Sequence, residues 1–288
     1  TLLQLQRIVA GAEGTVGVVT SVTLQTMPLP PSRAVLLVLF PSLAKALSAA
    51  EDVAELEPSA CDLLDRRILS LAREVDHRYF RIIPLIAEAA LLIEQTAPDD
   101  RLARERLELV RRRVDQRKHA ALALHDATTT EEADFLWQLP RRTLPRLASL
   151  PGKESPVQFA EGCLLPPRQA APFLHEAQQL LQHHRVTATC YGPLFAGGLT
   201  FQPFLDRNSP GRADTLATIE ERFLEILGRF GGVVARYRGQ GRFRSTGTGP
   251  LHSDTALQIR QLFDPTGRFA TGAIRRSASE RRLEVTSD

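Results

Sequence analysis

Short apolar and β-branched runs alternate with amphipathic runs along most of the chain, which is the pattern of strands followed by helices. Strands are predicted over residues 18–27, 34–40, 59–64, 85–95, 120–125, 157–164, 186–191, 199–204 and 232–237. Helices are predicted over residues 42–56, 65–75, 99–117, 128–139, 167–184, 216–230 and 253–262. Because few of the strands are wholly apolar, the pattern predicts an α+β fold with a mostly antiparallel sheet that helices cover on one face.

Three of the predicted helices begin with residues that cap a helix. Ser42 precedes the first of them and offers its hydroxyl to the unpaired N–H groups of the first turn. Asp99 places negative charge at the start of the helix over 99–117, where the helix dipole favours it. Threonines open the helix over 128–139, and Glu131 and Glu132 follow in its first turn, as in a capping box.

A proline-rich segment, residues 28–31, marks the best candidate boundary in the chain. Before it, the chain starts inside what has the pattern of the end of a structural unit, so we expect this sequence to be the C-terminal part of a longer polypeptide. The tail after Arg275 is rich in charge and is predicted to be disordered.

Composition limits the classes of partner. Hydrophobic residues make up 43% of the chain and charged residues 24%, which is ordinary for a globular protein, and the net charge of +3 is too small to predict nucleic-acid binding. No apolar run reaches the roughly 18 residues that cross a bilayer, so an integral membrane protein is not expected. Cys61, Cys163 and Cys190 lie far apart in apolar surroundings, which predicts reduced core residues of a cytosolic protein.

Three glycine-punctuated segments follow one another in the last third of the chain, at residues 191–204, 231–241 and 263–274. Glycine is used where a side chain would block the approach of backbone to another group. The segments therefore indicate a place where the backbone comes close to a ligand or to another part of the protein.

Several motifs follow one another along the chain: the Gly-Ala-Glu-Gly-Thr-Val-Gly stretch over 11–17 with the prolines that follow it, the strand that ends in Asp62-Leu-Leu-Asp65, Leu136-Trp137, the strand and turn over 159–167, and Phe263-Asp-Pro265 with Gly272. In this order they resemble the motifs of FAD-linked oxidases of the vanillyl-alcohol oxidase type, and above all of the D-lactate, glycolate and D-2-hydroxyglutarate dehydrogenases. The resemblance spans nearly the whole chain.

This resemblance implies FAD as the cofactor, held in part by Glu13, Gly14, Thr15 and Gly17. It also implies a division of the chain. Residues 1–30 would be the end of an FAD-binding domain and a linker, residues 31–274 a cap or substrate domain with ferredoxin-like halves, and residues 275–288 a charged tail. Without the rest of the FAD-binding domain, the chain alone is not expected to hold flavin tightly.

The positions that carry the family's chemistry are changed in this sequence. Those of two metal-binding histidines hold Pro193 and Thr200, so no metal is expected. Those of a further glutamate ligand and of the histidine that takes the substrate's hydroxyl proton hold Tyr237 and Arg238. Arginine stays protonated at any working pH, so Arg238 cannot replace that base, and the catalytic residues remain unassigned.

Arginines are the candidates for binding a substrate carboxylate. The helix arginine that grips the carboxylate in the family falls on Pro140, next to Arg141. Arg236 and Arg238 lie in a glycine-rich loop, which is either an anion site or a solvated basic loop. We take Arg141, Arg236 and Arg238 as the candidate substrate-binding residues.

Two functions follow from these expectations. In the first, the protein is an FAD-dependent oxidoreductase that acts on a small 2-hydroxy acid and passes electrons to a separate acceptor. In the second, it is a catalytically silent homologue that serves as a structural subunit of a flavoenzyme complex, with a homologous subunit as partner. The expected location is the cytoplasm, with a peripheral position at the inner membrane as the alternative.

Overall fold

The computed structural model describes residues 17–157, 159–195, 198–206, 208–234 and 254–269. The chain divides into a larger compact unit, Pro28–Ala235, and a smaller unit whose described residues are 17–27 and 254–269. The sheet and most of the helices belong to the larger unit. Helix α8, in the smaller unit, spans Asp254–Phe263.

Nine strands of the larger unit form one sheet in which every pairing is antiparallel. They are β1 Ser32–Phe40, β2 Ala60–Asp65, β3 Ala89–Ala97, β4 Ala123–Ala127, β5 Glu154–Pro156, β6 Ala160–Leu164, β7 Thr187–Pro193, β8 Leu199–Asp206 and β9 Val233–Val234. Its helices are α1 Leu43–Ala54, α2 Arg66–Val75, α3 His77–Ile82, α4 Asp100–Val114, α5 Thr130–Ala148, α6 Ala170–His183 and α7 Arg212–Arg229, with a 3₁₀ turn at Pro167–Gln169. The predicted α+β fold with an antiparallel sheet is confirmed.

The sheet consists of two ferredoxin-like halves. Its strand order is β4-β1-β3-β2-β7-β8-β6-β9, and β5 pairs with β8 beside this path. Strands β1 to β4 have the order 4-1-3-2, and β6 to β9 repeat it when counted from the other edge of the sheet. The two halves meet where β2 pairs with β7, which joins one chain segment near residue 62 to another near residue 193.

Helices cover both faces of the sheet in the first half, so the expectation of helices on one face is wrong. Leu36 and Val38 of β1 pack in one hydrophobic cluster with α1 and α4, while Leu37 and Leu39 pack in a second cluster with α2, α3 and α5. The reason is β1 itself, which is apolar at successive positions. A strand with two apolar faces needs a cover on each side.

The second half buries one side of its sheet against α6 and α7. Phe173 of α6, Phe201 of β8 and Phe223 of α7 form edge-to-face pairs, with ring centroids 4.9 to 5.7 Å apart. Cys163 and Cys190 lie in the same cluster and, like Cys61, are buried free thiols. The expectation of reduced core cysteines is thereby confirmed for their burial and their lack of disulfides.

Local signals predicted the helix starts well. The Ser42 hydroxyl accepts a hydrogen bond from the Lys45 amide, and the Asp99 carboxylate accepts one from the Leu102 amide at 2.8 Å. The helix over 130–148 begins with a complete capping box between Thr129 and Glu132.

Helix α5 is longer than predicted and continues through Pro140 and Pro145. Proline inside a helix removes a backbone hydrogen bond and costs about 3 kcal/mol. The helix continues because its far end is buried: Leu139 and Leu147 are almost inaccessible to solvent. The Thr143 hydroxyl also donates to the carbonyl of Leu139 at 2.9 Å.

Two further expectations need correction. Residues 18–27 have no regular secondary structure, although they were predicted to form a strand. A strand needs a partner for its N–H and C=O groups, and in the described parts of the chain no strand pairs with this segment. Strand β3 begins at Ala89, because its partner β1 ends opposite it at Phe40, and the apolar residues Leu85 and Ile86 before it are exposed.

Candidate functional site

Polar side chains meet on one side of the sheet where its two halves join. Asp62 of β2 is paired with Pro193 of β7, and Tyr191 of β7 is paired with Thr200 of β8. Directly paired residues of an antiparallel sheet project to the same face, and so do alternate residues of one strand. One face of the sheet, which we call the open face, therefore carries Asp62, Tyr191, Pro193, Thr200 and Gln202.

The open face lies opposite α6 and α7. Its residues Tyr191, Thr200 and Gln202 are only half-buried. Leu164 of β6 and Val233 of β9, which are paired with each other, extend the same side and are 39% and 59% exposed. Among the described residues of the second half, this side is thus accessible around Tyr191, Thr200 and Gln202, whereas Thr189 and Phe204 on the same side are buried.

The hairpin between β7 and β8 depends on Gly192. Its φ of +116° favours glycine, and an added Cβ would lie 2.4 Å from the carbonyl oxygen of Gly198. The Gly198 amide in turn donates to the carbonyl of Pro193 at 3.2 Å. This glycine is therefore required for the close approach of the two strands, which brings the positions of Pro193 and Thr200 to one end of the sheet.

Two acidic residues lie side by side at the seam. Glu94 of β3 is paired with Ala60, so it is the diagonal neighbour of Asp62 on the same face, at about 7–8 Å between Cα atoms. Glu94 is held in place: it accepts a 2.7 Å hydrogen bond from Nε1 of Trp137 and lies 3.9 Å from Nη1 of Arg33. Asp62 forms no such bond with any residue that the structure describes.

Burial raises the pKa of Asp62 to about 6, and the negative charge of Glu94 contributes to the same shift. A charged carboxylate loses hydration when it is enclosed, and a second negative charge nearby adds to that cost. Asp62 is consequently a carboxyl group that changes its charge close to neutral pH.

Asp65, three residues further along the chain, differs from Asp62 in its hydrogen bonds. Its carboxylate accepts three hydrogen bonds, from the amides of Ile68 and Cys190 and from the hydroxyl of Thr189, at 3.1, 2.8 and 2.8 Å. Burial raises its pKa, and these three donors oppose that shift. The group caps α2 and ties it to β7, so its role is to join the halves.

The structure places some of the predicted site residues. Pro193 and Thr200 lie together on the open face, and the Thr200 hydroxyl donates to the carbonyl of Gly198 at 3.2 Å. Arg141 is exposed on α5, one helical turn after Trp137 and on the same side of the helix. Its neighbour Arg142 is instead bonded to Asp76 at 2.7 Å.

Other predicted residues lie outside the described residues: Glu13, Gly14, Thr15, Arg236, Tyr237 and Arg238. Their roles stay predictions. Gly17, at the end of the stretch assigned to FAD, has a φ of +154°, and an added Cβ would meet nothing within 4 Å.

A metal ion does not fit at Pro193 and Thr200. Proline offers no side-chain ligand, and the single hydroxyl of Thr200 already donates to a backbone carbonyl. In the part of the chain that the structure describes, no three His, Cys, Asp or Glu side chains are grouped to hold a metal. The expectation that no metal binds stays a prediction.

Asp62 and the Glu94–Trp137 pair were not predicted as site residues. Two signals for Asp62 were present: it begins the motif Asp62-Leu-Leu-Asp65 that resembles the family, and it is an acid between apolar neighbours in a strand, Cys61 and Leu63. Such a residue must project either to solvent or to a polar site. Its pairing with Pro193 depends on the tertiary structure.

Comparison with known proteins gives a family match and several relatives. The family of the FAD-linked oxidases, C-terminal domain, matches residues 29–274. A D-2-hydroxyglutarate dehydrogenase from Pantoea ananatis is 25% identical over 94% of this chain and 28% of its own length. The glycolate oxidase subunit GlcD of Bacillus subtilis is 25% identical over 96% of this chain and 59% of its own length. A D-lactate dehydrogenase of Archaeoglobus fulgidus is 22% identical over 94% of this chain and 58% of its own length. The chain thus spans between about a quarter and three fifths of these relatives.

Solved structures share the fold. An alkyldihydroxyacetonephosphate synthase superposes with a TM-score of 0.59 at 16% identity, covering 92% of this chain and 48% of the synthase. A 4-ethylphenol oxidase from Gulosibacter chungangensis superposes with a TM-score of 0.57 at 12% identity, covering 84% of this chain and 53% of the oxidase. No helix within the described residues is long and apolar enough to cross a membrane.

Proposed function

The chain belongs to the family of FAD-linked oxidase C-terminal domains, and from this membership we propose that it is the substrate-facing part of an FAD-dependent oxidoreductase for small D-2-hydroxy acids. Relatives named for such substrates support this choice: D-2-hydroxyglutarate, glycolate and D-lactate. The observation that carries the proposal is the open face, where the positions of the family's motif residues, Pro193 and Thr200, lie beside Asp62 and Tyr191.

FAD, when bound, supplies an acceptor for the hydrogen and electron pair that leave the carbon bearing the substrate's hydroxyl group. We assign Glu13, Gly14, Thr15 and Gly17 to holding it. The open backbone at Gly17 supports this assignment. The same proposal divides the chain into the end of an FAD-binding domain with its linker, residues 1–30, a substrate domain, residues 31–274, and a charged tail, residues 275–288.

Arginines hold the substrate carboxylate in this proposal. A guanidinium group matches a carboxylate with two parallel hydrogen bonds, so Arg141, Arg236 and Arg238 can orient a 2-hydroxy acid without a metal. Arg141 supports this role because its side chain is exposed on α5, and no hydrogen bond or ion pair within the described residues occupies it.

The test is the visible absorption spectrum of the purified full-length protein under anaerobic conditions. We expect the oxidised flavin band to bleach on addition of D-lactate, glycolate or D-2-hydroxyglutarate, and not on addition of L-lactate as the control. A flavin band that none of the three substrates bleaches contradicts the proposal.

Arg141→Ala tests the carboxylate-binding role. We expect KM for the substrate that bleaches the flavin to rise by about 10- to 100-fold, as for the loss of a charge-assisted hydrogen bond. Arg146→Ala is the matched control, because Arg146 is also exposed on α5. Equal effects of the two substitutions would exclude a specific contact from Arg141.

The changed motif positions favour a second function, that of a catalytically silent structural subunit. Pro193, Thr200, Tyr237 and Arg238 replace residues with metal-binding and proton-accepting side chains. Under this alternative, the protein forms a stoichiometric complex with a homologous flavoenzyme subunit, and its own spectrum does not respond to substrate. Analytical ultracentrifugation of the two purified proteins, mixed, distinguishes the functions.

A cytoplasmic location is part of the first proposal, with a quinone, a cytochrome or an iron–sulphur protein as electron acceptor. Three buried thiols support it, because free cysteines are typical of a reducing compartment. Growth with each candidate substrate, followed by fractionation of the cells, tests the location. Recovery of the protein outside the cytoplasmic and inner-membrane fractions contradicts it.

A further inference from the structure

We propose that the Asp62 carboxylate accepts the proton of the substrate's hydroxyl group, in place of the histidine that this sequence lacks. The inference rests on the proposed function, because it names the base for that reaction. It assigns the base to β2, within the family motif Asp62-Leu-Leu-Asp65, whereas the positions that the resemblance gives to metal ligands and to the base lie on β7, on β8 and after β9 in the sequence.

The position of Asp62 is the first argument. The residue is paired directly with Pro193 and lies one strand from the Tyr191–Thr200 pair, so its carboxylate is on the open face beside the changed motif positions. A side chain here faces the same space as a group attached at position 193 or 200 would. A proton acceptor on β2 thus faces the place that the resemblance assigns to two of the family's metal ligands, on the side that receives the substrate in the proposed function.

The second argument is that the other described acids nearby are already engaged. Glu94 accepts from Trp137 and lies near Arg33, and Asp65 accepts from three donors. Among the described residues, no donor is bonded to Asp62. Its oxygens consequently remain free to accept a proton from a bound hydroxyl group.

The third argument is the proton affinity of the group. Burial and the charge of Glu94 raise the pKa of Asp62 to about 6. A general base works best when its pKa lies near the working pH, since it is then both ionised and basic. Other titratable groups beside it are the Cys61 thiol, whose pKa is also raised by burial, and the Tyr191 phenol on β7, while Arg33 lies beyond Glu94.

The step balances as follows. The O–H bond of the substrate breaks and its proton joins an oxygen of Asp62. The C–H bond of the same carbon breaks, and FAD, when bound as in the proposed function, would accept the hydrogen together with both electrons. The carbon–oxygen bond becomes a carbonyl, so the 2-hydroxy acid becomes a 2-oxo acid, and Asp62 returns its proton to solvent.

The test compares Asp62→Asn with Asp126→Asn, a matched substitution on β4 at the far edge of the sheet. We expect kcat/KM to fall by about 10²- to 10⁴-fold in the first variant and to stay unchanged in the second. In the wild type, kcat/KM rises with pH through about 6, because only the ionised carboxylate accepts a proton. Asp62→Asn loses this limb of the profile.

Glu94→Gln provides a variant that keeps Asp62. Loss of the negative charge at position 94 lowers the pKa of Asp62, so the limb moves to lower pH while the flavin spectrum stays the same. A readout independent of activity is the infrared band of the protonated carboxyl group in isotope-labelled protein. It titrates near pH 6 in the wild type and is missing in Asp62→Asn.

Three results would overturn the inference. They are an Asp62→Asn variant with unchanged kcat/KM, a pH limb that persists in that variant, and an infrared band that titrates in the ordinary aspartate range near 4. In each case bleaching of the wild type by substrate would leave the proposed function intact. A wild type that no 2-hydroxy acid bleaches would instead refute the proposed function and the role of Asp62 together.

Discussion

Among the side chains where the two halves of the sheet meet, the Asp65 carboxylate is the one whose removal should lower the free energy of unfolding most. It caps α2 through the Ile68 amide and accepts from Thr189 and Cys190 of β7. Asp65→Ala removes all three bonds in one substitution. The cap contributes about 1 kcal/mol to the free energy of unfolding.

The two donors from β7 add more. The Thr189 side chain is 0% exposed, so its hydroxyl loses its acceptor without access to water. A buried donor left unpaired costs about 1–3 kcal/mol, and the Cys190 amide adds a cost of the same kind. Asp65→Ala also removes a negative charge whose burial is unfavourable, and this offsets a part of the loss of stability. We therefore expect Asp65→Ala to lower the free energy of unfolding by about 3 kcal/mol.

Urea unfolding at neutral pH, followed by the fluorescence of the single tryptophan, Trp137, measures this difference. Asp99→Ala is the matched control, because Asp99 also caps a helix through one amide but has no bond to a second strand. It should cost only about 1 kcal/mol.

A double-mutant cycle with Thr189→Val isolates the contact between Asp65 and Thr189. Once the hydroxyl is absent, Asp65→Ala leaves one buried donor fewer unpaired, and its cost should fall by about 1 kcal/mol. The reasoning is refuted if Asp65→Ala costs no more than Asp99→Ala, or if its cost is the same with and without Thr189.

Three further substitutions test the backbone and the buried histidine. Gly192→Ala places a Cβ 2.4 Å from a carbonyl oxygen at a φ of +116°, so it should lower the free energy of unfolding by about 2–4 kcal/mol. Gly228→Ala, in open space on α7, should instead raise the free energy of unfolding by about 0.5–1 kcal/mol. Equal urea midpoints for these two variants would contradict the argument. The pKa of His119 is lowered by burial, although Asp52 opposes the shift, so the unfolded chain binds a proton that the folded chain does not. Stability should therefore fall as the pH drops below about 6.5, and His119→Gln should lack that slope when unfolding is measured across this range.

Much of the fold followed from local patterns in the sequence. Ser42 and Asp99 begin their helices as predicted, because a cap depends on contacts within one turn. The strand β1 and most later strands were predicted because short apolar and β-branched runs bounded by turn residues are typical of strands. The motifs over 11–272 identified the family, which the match over residues 29–274 confirms.

Local patterns failed where a distant partner decided the outcome. Residues 18–27 have the composition of a strand, yet they lack a partner among the described residues. Helix α5 continues past Pro140 because buried contacts outweigh the lost hydrogen bond. Helix α3 was not predicted, because it is a single short segment that begins directly after α2. Its N-cap is Asp76.

The sequence by itself determined the family and the alternation of strands and helices. Only the tertiary structure decided that helices cover both faces of the first half, and that Asp62 lies opposite Pro193 on an open face. The physical reason is that sheet pairing joins residues far apart in the chain, as Asp65 is bonded to Thr189 across 124 positions. No pattern within a short window contains that information, whereas a helix cap is complete within four residues.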